Sequence, residues 1–125
     1  MEADVAGGPH AAAQARRLVE QELDGRLPPR MVEDVSLLVT ELVANGVRHG
    51  GGADDEASLR VLLEGRRPCL HVEVANADHV RGVPVRRAAD LEGGGGIGLN
   101  LVERLASRWG VIRRPETTVW FEMDC

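Results

Sequence analysis

The 125-residue chain reads as an α+β domain, with helices layered over one face of a sheet. Three observations predict that class. Two apolar stripes at helical spacing open the chain. Two pairs of alternating segments follow, each bounded by turn residues. Between the pairs a glycine-tailed stretch runs into a third helical stripe. The order is helix–helix–strand–strand–loop–helix–strand–strand, with no internal repeat and no domain boundary.

Met1 to Pro9 is small and polar with two glycines and is expected to be disordered, leaving 10–125 as one domain. Ala11 to Leu23 carries Ala12, Ala15, Leu18, Val19 and Leu23 at near-helical spacing, and Asp24-Gly25 supplies a stop. Pro28-Pro29 precedes a long second helix from Arg30 to His49, closed by Gly50-Gly51-Gly52. On its wheel Met31, Val32, Val35, Leu38, Val39, Leu42 and Val43 form one broad apolar face. Glu33, Ser36, Thr40 and Ala44 lie roughly opposite, and Asp34, Glu41, Asn45 and Arg48 form a polar strip at the edge of the core face. Such a strip is where the floor of a pocket would lie.

Ser58 to Glu64 and Leu70 to Asn76 alternate like strands around a turn at Gly65-Arg66-Arg67-Pro68. Ala77 to Gly96 is long, charged and aperiodic, the composition of a functional lid or a disordered segment. Ile97 to Arg108 is a third helix with Ile97, Leu101 and Leu105 on one side. Trp109 to Arg113 and Thr117 to Met123 form a closing hairpin around Arg114-Pro115-Glu116.

Composition narrows the function. With Phe121, Trp109 and Trp120 as the aromatics and no tyrosine, the core must be built from Leu, Val, Ile and Ala, and stacking platforms for single-stranded nucleic acid are missing. A net charge of −5 argues against phosphate-backbone binding, so no direct nucleic-acid partner is expected. Cys69 and Cys125 fall in no zinc spacing, and nothing in the sequence supports a disulfide. His10, His71 and His79 have no carboxylate or cysteine partner at metal spacing and read as surface groups. No run approaches the ~20 apolar residues of a membrane span, and the acidic N-terminus lacks a signal-peptide pattern. The expectation is a soluble cytoplasmic protein.

Two segments carry chemistry. Glu41-Leu42-Val43-Ala44-Asn45, followed by Arg48 and His49, sets a carboxylate and an amide four residues apart on a helix. As a surface pair these would contribute only about 0.2–0.5 kcal/mol; together they can also polarise a nucleophile and hold Mg²⁺. Gly94-Gly95-Gly96-Ile97-Gly98-Leu99 flows directly into a helix. Glycines there let backbone N–H groups approach phosphates, next to the positive end of the helix dipole. No Lys-Ser/Thr follows, so this is not a Walker loop.

In this order, Glu-Leu-Val-Ala-Asn-Gly-Val-Arg-His, Val-Glu-Val-Ala-Asn, the glycine segment, Arg-Trp-Gly-Val and Thr-Thr-Val-Trp-Phe-Glu-Met resemble the GHKL ATPase superfamily of gyrase and histidine kinases. Within it the chain is most similar to the anti-sigma-factor serine kinases, from about Ala12 to Asp124. The resemblance implies a two-layer α/β sandwich of the Bergerat ATP-binding type, with a mixed, mainly antiparallel sheet and three helices on one face. It implies ATP and Mg²⁺ as cofactors. Glu41 matches the general base and Asn45 the Mg²⁺-binding asparagine. Arg48 and His49 sit where the family lines the phosphates. Gly94, Gly96 and Gly98, with Ile97 and Leu99 interleaved, match the loop and helix start around them. Thr118 matches the strand residue that helps to hold adenine.

One position departs. Where the family places an aspartate that accepts from the adenine amino group, this chain has Asn76, which can accept but carries no charge. Asp78, two residues on, would keep the same strand face after a register slip, although its simpler reading is an exposed loop carboxylate. The N-terminus reads as too short for the extra first strand often used in the family's dimer, so a homodimer is a possibility only.

The function implied is an anti-sigma factor with serine kinase activity toward an anti-anti-sigma partner of the STAS type. The alternative is a kinase-like regulator that binds a sigma factor without nucleotide, a reading motivated by Asn76. A detached histidine-kinase catalytic domain fits less well, because no helix pair with an accepting histidine precedes the motifs.

Overall fold

The computed structural model describes residues 1–49, 57–76, 97–112 and 117–125, with 45–49, 76 and 97–99 described by backbone alone. Five strands are found among them: β1 (Glu2–Val5), β2 (Ala57–Leu63), β3 (Leu70–Asn76), β4 (Arg108–Ile112) and β5 (Thr118–Met123). They form one sheet in the order β1-β2-β3-β5-β4. Every described pairing is antiparallel, in line with the mainly antiparallel sheet expected.

Among the described residues three helices, α1 (Ala11–Leu23), α2 (Pro29–His49) and α3 (Ile97–Leu105), make the second layer. α1 packs on β1 and β2, α2 on β2 and β3, and α3 on β4, while α2 lies against both other helices. Strand alternation sends Val5, Leu59, Val61, Leu70, Val72, Val74, Val119, Phe121 and Met123 into the helix-covered core. Val35, Leu38, Val39, Leu42 and Val43 of α2 and Ala15, Val19 and Leu23 of α1 meet them there. The core is aliphatic around a single Phe121, as the composition requires.

α1 stops at Asp24, whose N–H reaches the Glu20 carbonyl, and Gly25 takes φ +80, a left-handed turn that a side chain would strain. α2 then runs from Pro29, a residue pre-shaped for a first helical position. Because α2 is flanked on two sides, its buried arc is wider than the apolar wheel face. Ser36, expected on the outer side, is 4% exposed, whereas Leu37 is 43% exposed.

Two expectations about the chain's ends are corrected. Residues 1–9 are not without structure: Glu2–Val5 pairs with β2, Val5 is fully buried, and Val61 N–H donates to the Met1 carbonyl at 2.8 Å. Cys69 and Cys125 are joined as a disulfide, with Cα atoms 5.5 Å apart. Cys69 N–H donates to the Met123 carbonyl and Cys125 N–H to the Arg66 carbonyl, so β5's end is already tied to the β2–β3 turn by backbone bonds. Among the described residues no helix is long and apolar enough to cross a membrane.

Candidate nucleotide site

α2 is the element that positions the first group of candidate residues. Its core face, pinned by Leu38, Leu42 and Val43, fixes the helix's rotation and leaves Glu41 half-buried at the edge of the packed layer. Among the described residues Glu41 makes no hydrogen bond and no ion pair, so its carboxylate is uncommitted. The helix continues unbroken through Asn45 to His49, which places positions 45 and 48 one and two turns beyond Glu41 on the same flank.

α3 is described from Ile97, so Ile97, Gly98 and Leu99 stand at the N-terminal end of its described part. Gly94, Gly96 and Asp78 lie outside the described residues, as does the whole Ala77–Gly96 segment. Val102 is fully buried and anchors α3 in the core beside α2.

The sheet brings two further candidate positions together and separates a third from them. Asn76 ends β3 and pairs with Ala57 of β2. Ala75 pairs with Thr118 in β5, the last pair of that ladder, and Thr117 lies just outside the strand. Thr117 is 1% exposed, and its hydroxyl has no hydrogen-bond partner among the described residues. Burying such a group unsatisfied costs about 1–3 kcal/mol, which a ligand atom at that point would offset.

The assignment of Thr118 is therefore corrected. Thr118 pairs with Ala75 and Ile112 and points with Trp120 and Glu122 to the open face, away from α2. There it lines a cleft of about 250 Å³ with Glu2, Asp4, Ser58, Arg60 and Glu73. The sequence contains the signal that separates the two threonines: Thr117 shares parity with Val119, Phe121 and Met123, all buried, whereas Thr118 shares it with Trp120 and Glu122.

The open face also holds a polar cluster built on His71, Glu73, Arg108, Glu122 and Asp124. His71, expected as an isolated surface group, has Nδ1 2.8 Å from Glu122 Oε2 and Nε2 2.9 Å from Glu73 Oε2. A carboxylate at hydrogen-bond distance from each ring nitrogen favours the protonated ring. Its ring stacks on Trp120 at 5.8 Å. Burial pulls the imidazole pKa down, but the bonds to Glu73 and Glu122 outweigh it and hold it above 6.5. Arg108 donates from Nε to Glu122 at 2.9 Å and forks onto Asp124, holding the Glu122 carboxyl below its ordinary range with help from His71. Among the described residues no group of three His, Cys, Asp or Glu side chains is arranged to hold a metal ion.

The covered face thus offers an uncommitted carboxylate on α2, the N-terminal end of the described part of α3 and an orphan hydroxyl at the mouth of β5. Among the described residues the Thr117 hydroxyl, like that of Ser36, has no partner, and the Thr117 one stands at the end of the sheet, where a polar ligand atom could meet it. A family model described as the histidine kinase-like ATPase domain matches residues 5–123. Comparison with curated proteins gives no match. Such domains imply ATP as the ligand, usually with Mg²⁺. The match runs from the last residue of β1 to the last of β5 over an antiparallel sheet with its helix layer, and the chain belongs to the histidine kinase-like ATPase domain family.

Proposed function

We propose that this chain is an anti-sigma factor with Mg-ATP-dependent serine kinase activity, acting on the hydroxyl of an anti-anti-sigma protein of the STAS type. The observation that carries the reading is Glu41, an uncommitted, half-buried carboxylate on a helix locked by the core. When bound, Mg-ATP would supply the phosphoryl group, and the metal would supply charge neutralisation for the transferring oxygens. Glu41 orients the accepting serine and takes its proton as the new O–P bond forms and the bond to the ADP leaving group breaks. Asn45 is the protein ligand for Mg²⁺. Arg48 and His49, with the first-turn N–H groups of α3 after Gly94 and Gly96, hold the phosphates. Asn76 and Thr117 face the base. The reading places the protein in the cytoplasm with its sigma factor, and β1 supplies the first strand that the family's dimer often uses.

The test is transfer of labelled γ-phosphate to a STAS partner. Glu41→Ala should lower the rate by about 10²–10⁴-fold with the melting temperature unchanged, as expected when a general base is removed. Transfer at the wild-type rate would rule out the catalytic assignment.

A second reading is favoured by one residue. With Asn76 in the aspartate position, the base contact loses its charge assistance, and the chain would act as a nucleotide-independent binder of the sigma factor. In that case Asn76→Asp should create ATP affinity that the wild type lacks.

A further inference from the structure

We propose that Cys69 and Cys125 are a reversible redox site, at which the exposed Cys125 exchanges with a low-molecular-weight disulfide and the buried Cys69 closes the bond. Their Cα atoms are 5.5 Å apart, the usual spacing for a bridge. Backbone bonds hold both residues there without it. Cys69 N–H donates to the Met123 carbonyl at 2.8 Å, and the Cys69 carbonyl accepts from Glu64 N–H at 2.8 Å. Cys125 N–H donates to the Arg66 carbonyl at 3.2 Å, and Leu70 pairs with Met123 in the adjoining ladder. The two thiols of the open form therefore stay within reach of each other.

The two sulfurs differ in access. Cys69 is 3% exposed and belongs to the core cluster, whereas Cys125 is exposed beyond the end of β5. A small reagent meets Cys125 first, and exposure is one of the features that separate exchangeable bridges from inert ones. In the cytoplasm proposed above, disulfides are rare, and those that form are mostly transient or redox-sensing. The pair stands at the end of β3 and β5 remote from Asn76 and Thr117, apart from the nucleotide site.

The exchange balances without a further reactant. The Cys125 thiolate, its proton lost to water, attacks one sulfur of R–S–S–R, forms Cys125–S–S–R and releases one thiolate. Cys69 gives its proton to water, attacks Cys125 Sγ and releases the second thiolate. Two protein thiols are thereby oxidised by two electrons, the small disulfide is reduced to two thiols, and the two protons end on them. Excess small thiol drives the same steps backward, entering at Cys125 Sγ.

The test equilibrates the full chain, without denaturant, in mixtures of reduced and oxidised glutathione, then alkylates the free thiols and counts them by mass spectrometry. The bridge should be closed in millimolar oxidised glutathione, open in millimolar reduced glutathione, and should cross between the two from either side. A bridge that stays closed in reduced glutathione, or a pair that stays open in oxidised glutathione, would overturn the site. The closed form should melt about 10 °C above the open one, each in one cooperative transition, as expected for a bridge between residues 56 apart. An open form already unfolded at room temperature would make the bridge a requirement of the fold and overturn its reversibility. Cys69→Ala should take up glutathione on Cys125, whereas Cys125→Ala should take it up on Cys69 about tenfold more slowly or less. Equal uptake would overturn Cys125 as the point of entry. Peptide mapping of the mixed disulfide in briefly exposed wild type reads the same order without a substitution: glutathione on Cys125 supports the assignment, and glutathione on Cys69 overturns it.

Discussion

The two faces of the sheet solve the burial of polar groups in opposite ways. On the open face, charge is abundant and answered: His71 lies between Glu73 and Glu122, and Arg108 spans Glu122 and Asp124. On the covered face the side chains are aliphatic, yet at its edge the Thr117 hydroxyl has no partner among the described residues. The contrast teaches where to look for chemistry. A dense cluster whose members satisfy one another has little left to offer a ligand. A sparse region with a buried hydroxyl that no described residue answers and an uncommitted carboxylate has more to offer one.

The contrast breaks most severely from the covered side. Phe121 is the largest fully buried side chain, so Phe121→Ala should destabilise the fold by about 3–5 kcal/mol in denaturant titration. A loss below 1 kcal/mol would mean that the core collapses around the gap.

A middle-sized effect is expected where the open face is packed rather than paired. A Cβ at Gly110 would sit 2.6 Å from Nε1 of Trp120, so the indole must move. Gly110→Ala should cost about 1–3 kcal/mol, the range for overpacking. Because His71 stacks on that indole, the substitution should also weaken the histidine's pH dependence.

The smallest effect sharpens the comparison. His71 has its folded pKa raised above 6.5 despite burial, through Glu73 and Glu122. Its stabilisation is therefore complete below about 6.5, the value for an unpaired histidine, and is lost as pH rises through the folded pKa. Wild-type melting temperature should fall across that window relative to His71→Gln, and parallel melting curves would show that the cluster does not titrate with folding.

The main elements were legible because their signals are local. The stripe of Val35, Leu38, Val39, Leu42 and Val43 and the alternation of Leu70 to Asn76 need only neighbours in sequence. β1 escaped because four residues between a terminus and a glycine pair acquire strand character only from pairing with β2. The His71 cluster and the disulfide join positions 51 and 56 residues apart, distances at which spacing says nothing. At the site, Glu41 and the start of α3 were readable from composition and order. The choice between Thr117 and Thr118 turned on strand parity, where a one-residue shift exchanges the two faces of the sheet.

The Cys69–Cys125 bond makes everything from β3 to the end of β5 a closed covalent ring. A single backbone cut anywhere between Leu70 and Asp124 would therefore leave one molecule, with β5 still fastened beside β3, until a reductant opened the ring. In a compartment that keeps thiols reduced, the same cut would yield two separable pieces, and the sheet would depend on its hydrogen bonds and core alone.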